Sequence, residues 1–259
     1  MEDRPEPVPE LDPQGWATRR RQSVRRAAVA RGADPAAAQI SAVLLDIGGV
    51  VIPQLFETVS VPGFPRGPFN GDERYAAVQR GDLSEREYWA GVAAERPDLD
   101  VGALWRSCSY VREDVRSALG ALAGRLRLVG FTNDMAHWFG EDWPRRFPEF
   151  RLFERLLEAS KLGPPKPAPE AFLLAAQAIG EPPERCLFVD DLQANLDGAT
   201  SAGMRTRYFD VRDPSGSLAA LLDDVGLAQL PVPPGPRGRT VRVARAPTLG
   251  RFGAGPHGR

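Results

Sequence analysis

The sequence predicts an α/β protein built on a parallel sheet, and two features lead to this prediction. Residues 42–51 run from four small or apolar residues into Asp46, continue through two glycines and end in two valines. That pattern is typical of a buried parallel strand followed by a tight loop. Further apolar runs alternate with stretches of helical periodicity, as the strands of a parallel α/β sheet do. These runs occupy 126–131, 153–158, 186–189 and 206–209.

Asp46 is predicted to lie at the carboxyl end of the first strand. Ligands bind at this edge of an open parallel sheet, because the loops diverge there and leave a crevice. An Asp-x-Gly-Gly turn is more often ordinary turn chemistry, so the motif by itself leaves a structural and a functional interpretation open.

Helices are predicted directly after the first strand. Ser84 and Glu87 have the spacing of a capping box ahead of an amphipathic run, which indicates the start of a helix. Further helices are predicted over 101–110 and 113–122. We therefore expect residues 54–121 to form a small inserted helical domain.

Polar side chains follow the later strands, and helices are predicted between them. One helix is expected over 169–179, and another over 195–202, where Gly203 ends it. The polar groups at the strand ends are Thr132, Asn133 and Asp134, then Asp190 and Asp191, and finally Asp210.

Charge is distributed unevenly along the chain, although the net charge is only -1. Residues 229–259 contain six Arg and no acidic residue, and residues 1–39 also carry a slight positive excess. We expect 1–39 to be a disordered or basic helical arm and 229–259 to be a disordered Pro/Gly/Arg-rich tail. The arm lacks interleaved aromatic residues, so a solvated arm is favoured and no nucleic-acid partner is expected.

Composition excludes several other classes of protein. No apolar run approaches the roughly 18 residues of a membrane span, so no membrane partner is expected. Cys108 and Cys186 lie far apart without a CxxC motif, which indicates neither a disulfide framework nor a zinc site. The basic N-terminal stretch is not followed by an apolar segment, so a cytoplasmic location is expected. The sequence indicates no oligomeric state.

Four motifs in chain order resemble those of the haloacid dehalogenase (HAD) superfamily, over about residues 41–211. In that superfamily a nucleophilic Asp follows the first strand, a Ser or Thr follows the second, and a Lys precedes an acidic pair after a later strand. The matching residues are Asp46, Thr132-Asn133, a lysine within 160–167, and Asp190-Asp191.

The resemblance implies a Rossmann-like parallel sheet flanked by helices, with a core at 40–53 and 122–228. Residues 54–121 would then be a helical cap over the site. A closer likeness is to the branch that contains α-D-glucose-1-phosphate phosphatase. It is carried by Asp46-Ile47-Gly48-Gly49-Val50, Arg80-Gly81-Asp82-Leu83-Ser84, Phe147-Pro148-Glu149, and Lys166-Pro167 ahead of Phe188-Val189-Asp190-Asp191.

The same resemblance implies a Mg²⁺ site and a nucleophile. Asp46 would attack phosphorus and also bind the metal, with Asp191 as the second ligand and the carbonyl of Gly48 as the third. Asp190 would either join them or hold a bound water. A carboxylate that attacks a phosphate ester needs a cation beside it, because both reactants are anions. A helix N-cap pair is the structural alternative for Asp190 and Asp191.

Further residues would bind the phosphoryl group and orient the site. Thr132 and the amide of Asn133 would contact the phosphoryl oxygens, and Asn195 would orient the lysine or the acidic pair. Only two of the 33 basic residues are lysines, Lys161 and Lys166. We expect Lys166 to be the catalytic cation. Lys161 is expected to be a solvated turn residue, with contact to the substrate as the alternative.

Gly48 departs from the usual pattern of the superfamily. Most of its phosphatases place a second Asp there, which protonates the leaving group and later activates water; the glucose-1-phosphate phosphatase branch also has glycine. Asp134 and His137 are possible replacements, although helix capping and a surface position are the favoured interpretations for them.

Three functional hypotheses follow. The first is a Mg²⁺-dependent phosphatase of a small phosphorylated metabolite, for example a sugar phosphate. The second is a dehalogenase-like hydrolase, against which Asp190 and Asp191 argue, because attack on carbon needs no metal. The third is a non-catalytic phosphometabolite-binding protein, which Gly48 motivates.

Overall fold

The computed structural model describes residues 39–108 and 110–228, so the expectations for the arm and the tail lie outside the described residues. Within this range five parallel strands form one sheet in the order β3-β2-β1-β4-β5. The strands are β1 (Ala42–Leu45), β2 (Arg127–Thr132), β3 (Arg155–Glu158), β4 (Cys186–Asp190) and β5 (Arg205–Tyr208).

Helices connect the strands and cover both faces of the sheet. None of those in the described ranges has the length and apolar character needed to cross a membrane. Short 3-10 helices occur at Gly67–Phe69, Trp143–Arg145, Pro148–Leu152 and Pro183–Arg185. The α-helices are α1 (Leu55–Thr58), α2 (Glu73–Arg80), α3 (Glu85–Glu95), α4 (Val101–Ser107), α5 (Glu113–Leu122), α6 (Met135–Phe139), α7 (Ala159–Leu162), α8 (Pro169–Ala178), α9 (Gln193–Ser201) and α10 (Pro214–Asp224).

Alternating side chains of β1 supply the two halves of the core. Val43 and Leu45 point into one apolar cluster, to which α5 and α10 contribute. Ala42 and Leu44 point into the other, against α8 and α9. Successive side chains of a strand face opposite sides of the sheet, so a strand with helices on both faces must be apolar throughout.

The register brings the carboxyl ends of the central strands to one edge. Leu45 lies opposite Gly130 of β2 and Val189 of β4. The polar residues at these strand ends therefore lie close together along this edge; they are Asp46, Thr132 and Asp190. This is the edge at which parallel α/β sheets bind ligands.

The predicted α/β fold with a parallel sheet is confirmed, and most predicted elements lie within a few residues of their expected bounds. Ser84 caps α3, and Glu87 completes the capping box. The helix predicted over 101–110 ends at Ser107, because the backbone of Cys108 is already extended. Sequence reasoning missed α2, although Asp72 caps its first turn by accepting from the N–H groups of Arg74 and Tyr75.

Residues 54–121 fold as α1 to α5. Their buried aromatic residues belong to the same apolar cluster as one face of the sheet. Helix α5 contacts α10 and β2. The division into a core and a cap at these bounds stays a prediction.

Candidate active site

Asp46 directly follows β1, and hydrogen bonds of its backbone and its side chain fix its position. Its N–H donates to the carbonyl of Val189 at 2.9 Å, and its side chain Oδ1 accepts from the Lys166 Nζ at 2.8 Å. Burial raises the pKa of Asp46 to about 7, although the Lys166 ammonium opposes that shift. A buried carboxylate at this position therefore depends on neighbouring cations to stay ionised.

Lys166 connects the nucleophile candidate to the acidic pair. Its ammonium also donates to Asp190 Oδ2 at 2.9 Å and to the carbonyl of Phe131 at 3.1 Å. Burial by itself would lower the pKa of Lys166, but Asp190 and Asp46 outweigh it and raise that pKa. The ammonium also lies 5.5 Å and 5.1 Å from the ring centres of Phe131 and Phe188, which favours the charged form.

Asn133 fixes the loop that carries this lysine. The Lys166 N–H donates to Asn133 Oδ1 at 2.8 Å, and Asn133 Nδ2 donates to the carbonyl of Lys166 at 3.2 Å. The carbonyl of Asn133 accepts from the N–H of Ser160. The side chain of Asn133 therefore positions Lys166. The preceding Thr132 lines the cavity above Asp46, and its hydroxyl has no hydrogen-bond partner within 39–108 and 110–228.

The two carboxylates of the acidic pair have different environments. Asp190 Oδ1 accepts from the N–H of Leu192 at 2.8 Å, and its Oδ2 accepts from Asn195 Nδ2 at 3.0 Å as well as from Lys166. Asp191 Oδ2 accepts from Gln54 Nε2 at 2.7 Å, whereas its Oδ1 is buried and has no partner in the described part of the chain. Burial and the nearby Asp190 raise the pKa of Asp191 well above its usual range.

These carboxylates fit a divalent cation. Asp46, Asp190 and Asp191 each offer an oxygen, and these oxygens lie within 4.8 Å of one another. Mg²⁺ prefers such hard oxygen ligands. The unpartnered Oδ1 of Asp191 is an atom that a cation would satisfy, since a buried oxygen without a partner is costly.

The two glycines after Asp46 have different structural roles. Gly49 has a φ of +86°, and a Cβ there would lie 2.5 Å from Asp191 Oδ1. Only glycine lets the acidic pair approach the loop so closely. At Gly48, by contrast, a Cβ would meet no atom of the described residues within 4 Å, and this residue lines the cavity.

Sequence reasoning missed two buried polar residues that support the site. Gln54 is 1% exposed and donates to Asp191 and to the Tyr75 hydroxyl. Arg112 Nη2 donates to the carbonyl of Gly49 at 2.8 Å, and its guanidinium also pairs with Glu57. For Gln54 there was a signal, since it is a polar residue between the apolar pairs 51–52 and 55–56. Arg112 gave none.

A cavity of about 400 Å³ opens above Asp46. Gly48, Thr132 and Lys166 line it near the sheet, and α3 contributes Glu85. Its apolar wall consists of Trp89, Trp105, Met135, Trp138, Phe139 and Pro165.

The remaining candidates divide between the cavity and the surface. Asp134 lines the cavity and lies 3.3 Å from the guanidinium of Arg86, but it does not cap α6 as expected. His137 is exposed and packs edge-on against Trp138. Lys161 is half-exposed and pairs with Glu141 and Glu158, so Lys166 is the lysine that the fold brings to Asp46.

Two curated proteins are similar to parts of this chain. Phosphatase MT3486 of Mycobacterium tuberculosis is 38% identical over 84 residues, which cover 29% of this chain and 38% of that protein. The 5-amino-6-(5-phospho-D-ribitylamino)uracil phosphatase YigB of Escherichia coli is 31% identical over 157 residues, which cover 60% of this chain and 61% of that protein. The chain thus matches less than two thirds of the length of either relative.

Among solved structures, a HAD-superfamily hydrolase of subfamily IA, variant 1, from Geobacter sulfurreducens is 26% identical. That alignment covers 65% of this chain and 89% of the other, with a TM-score of 0.46. The family model of haloacid dehalogenase-like hydrolases matches residues 40–203, which include every strand-end residue described above except those after β5. The chain belongs to the haloacid dehalogenase-like hydrolase family.

Proposed function

We propose that this protein is a Mg²⁺-dependent phosphatase that hydrolyses a small phosphate monoester through an aspartyl-phosphate on Asp46. The observation that carries the proposal is the Lys166 ammonium, which lies between Asp46 and Asp190 beneath an open cavity. A carboxylate must approach an anionic phosphoryl group here, and a fixed cation beside it lowers the electrostatic barrier.

The acidic cluster is the proposed metal site. Asp46 and Asp191 would hold Mg²⁺ together with the carbonyl of Gly48, while Asp190, whose oxygens accept from protein donors, would join through a bound water. When bound, the cation supplies charge neutralisation for the phosphoryl oxygens and aligns them with the nucleophile.

The residues of the chain would then have distinct tasks. An oxygen of Asp46 forms the new bond to phosphorus while the bond from phosphorus to the ester oxygen breaks. Thr132 and the backbone N–H of Asn133 would donate to the phosphoryl oxygens. Asn195 holds Asp190, and Asp190 in turn holds Lys166 beside the nucleophile. Water then attacks the phosphorus, which releases inorganic phosphate and restores the carboxylate.

A small phosphorylated metabolite suits the cavity. Its volume of about 400 Å³ admits a compact organic group, and the aromatic wall would pack against the face of a ring. Two relatives are named as phosphatases, and one name specifies a phosphorylated ribityl compound. The likeness to the glucose-1-phosphate phosphatase branch also favours a sugar phosphate as the first substrate to test.

A panel of phosphate monoesters, assayed with Mg²⁺ and with EDTA, tests the proposal. We expect metal-dependent release of phosphate by the wild type and none by Asp46→Asn, because an amide cannot form the acyl-phosphate. Acid quenching during turnover of a ³²P-labelled ester should leave label on the wild-type protein and not on Asp46→Asn.

Three outcomes would contradict the proposal. Metal-independent release of halide from a 2-haloacid, without phosphatase activity, would instead identify a dehalogenase. Saturable binding of phosphorylated metabolites with no turnover would identify a binding protein. Undiminished hydrolysis by Asp46→Asn would show that the nucleophile is assigned wrongly.

A further inference from the structure

Glu85 is a carboxylic acid in the cavity that packing does not explain. It is the first residue of α3 and lines the cavity that contains Asp46 and Gly48. It is partly buried, and within the described parts of the chain its carboxyl group has no hydrogen bond and no ion pair. A carboxyl group that lies in a cleft beside other carboxylates is a candidate for a functional role.

The start of α3 does not need Glu85. Ser84 and Glu87 bond reciprocally as a capping box, so the cap of this helix forms without the side chain of Glu85. The neighbouring Arg86 reaches across to Asp134. Glu85 is therefore the side chain of this turn that faces the cavity without a structural partner.

Because position 48 is a glycine, the roles of general acid and general base are left without a residue there. Glycine has no side chain that can protonate a leaving oxygen or accept a proton from water. In an in-line displacement the leaving oxygen departs on the side opposite the nucleophile, which is here the cavity side of the phosphorus. The attacking water later arrives from the same side, so one carboxyl group in the cavity wall can serve both steps.

We propose that Glu85 is the general acid and general base of this site. This inference rests on the proposed phosphatase function and extends it to a residue outside the recognised motifs.

Both half-reactions balance through Glu85. In the first, Asp46 bonds to phosphorus, the bond to the ester oxygen breaks, and the Glu85 proton moves to that oxygen to give an alcohol. In the second, water bonds to phosphorus and gives one proton to the Glu85 carboxylate, while the bond from Asp46 to phosphorus breaks. The products are the alcohol and inorganic phosphate, and both carboxyl groups return to their starting states.

The electrostatics of the cavity agree with an acid role. Burial and then the nearby carboxylates Asp46 and Asp190 together raise the pKa of Glu85 to about 8, although the Lys166 ammonium opposes that shift. A group with this pKa is protonated at neutral pH and can donate in the first step. The rate of that step should fall as the pH rises through the pKa, because the proton is then lost.

The variant Glu85→Gln tests the proposal with two esters. An alkyl phosphate needs its leaving oxygen protonated, whereas p-nitrophenolate leaves as a stable anion. We expect Glu85→Gln to lower kcat for the alkyl ester by ~10² to 10⁴-fold, the usual contribution of acid–base catalysis. With p-nitrophenyl phosphate the variant should release one equivalent of nitrophenolate in a burst and then turn over slowly, since dephosphorylation lacks its base.

The matched control is Glu87→Gln, which lies in the same helical turn on the exposed side. This variant should have a kcat within about twofold of the wild-type value for both esters, because a Gln at this position can still form the capping box. For the alkyl ester, the kcat/KM of the wild type should fall at high pH. The kcat/KM of Glu85→Gln should not show this fall. Melting curves of all variants check that each is folded.

The variant Glu85→Gln/Gly48→Asp provides a second test. The open space at Gly48 accepts a side chain, and its φ is not in the left-handed region. We expect turnover of the alkyl ester to recover about tenfold or more relative to Glu85→Gln, as the restored acid supplies part of the lost catalysis.

Two results would overturn the inference. One is a Glu85→Gln enzyme with unchanged kcat for the alkyl ester, and the other is a rise in KM with no change in kcat, which would indicate a binding role. Both require an active wild type, whereas failure of the proposed function would appear as a wild type without metal-dependent turnover.

Discussion

The ammonium of Lys166 lies 2.8 Å from the carboxylate of Asp46, and the two side chains are only 1% and 8% exposed. The same ammonium contacts Asp190. One cation thus serves two buried carboxylates, and a third, Asp191, lies beside them. A cluster of buried negative charges is costly unless cations lie beside it. A further cation would therefore stabilise these carboxylates more than a water molecule would.

Replacement of the two lysines by arginine should separate their roles. Lys166→Arg should lower kcat/KM by about 100-fold or more, close to the loss in Lys166→Ala, because a planar guanidinium does not fit the point-charge site between two carboxylates. Lys161→Arg should be mild, since Lys161 is half-exposed and pairs with surface acids. Steady-state kinetics of the three variants provide the measurement, and a larger loss in Lys161→Arg would reverse the assignment.

Mutation of the acidic pair should distinguish a metal ligand from a structural residue. Asp191→Ala should abolish Mg²⁺ binding in a calorimetric titration, because the unpartnered Oδ1 is removed. Asp190→Ala should also lower the melting temperature, since Lys166, Asn195 and the N–H of Leu192 would each lose an acceptor. Equal Mg²⁺ affinity of the wild type and Asp191→Ala would contradict the ligand assignment.

A methyl group at Gly49 should displace Asp191. Gly49→Ala is expected to weaken Mg²⁺ binding by about 10- to 100-fold, the range for residues that orient a metal ligand. Gly124→Ala is the matched control, because Gly124 has a similar φ of +76° but its Cβ would meet nothing within 4 Å. If both variants bind Mg²⁺ like the wild type, the close approach of Asp191 to this loop does not matter for the metal.

Loss of Arg112 should destabilise the loop that follows Asp46. Arg112→Ala removes the partner of Glu57 and the donor to the carbonyl of Gly49, and we expect a loss of about 3 kcal/mol in the free energy of unfolding. Arg96→Ala is the control, since Arg96 pairs with Asp98 at the surface, where ion pairs contribute little. Urea denaturation measures both, and equal midpoints would refute the role of Arg112.

Local patterns were sufficient to predict much of the candidate site. Asp46 directly follows β1 and Asp190 is the last residue of β4, so each marks the end of an apolar run that is buried on both faces of the sheet. The rarity of lysine in this chain indicated the segment with Lys161 and Lys166. Lys166 was preferred because Pro167, which follows it, favours an extended backbone. These signals lie within a few residues of the group concerned, so they can be recognised without knowledge of the fold.

Other parts of the site depend on contacts between distant segments. Gln54 donates to Asp191, which is 137 residues away, and Arg112 reaches the carbonyl of Gly49 across 63 residues. No local pattern encodes such pairs. The sequence does not distinguish Glu85 from other acidic residues, because a carboxylate in the first turn of a helix is common and its exposure to the cavity depends on how α3 packs.

The sequence by itself determined the alternation of strands and helices, the strand-end positions of Asp46, Thr132 and Asp190, and the start of α3. These follow from the period of apolar residues and from capping, which are properties of neighbouring residues. Only the tertiary structure decided that one ammonium, that of Lys166, contacts both Asp46 and Asp190. It also decided that Asp191 has an oxygen without a partner among the described residues, and that Glu85 faces the cavity. Such facts depend on strand register and helix packing, since these bring together groups that are remote along the chain.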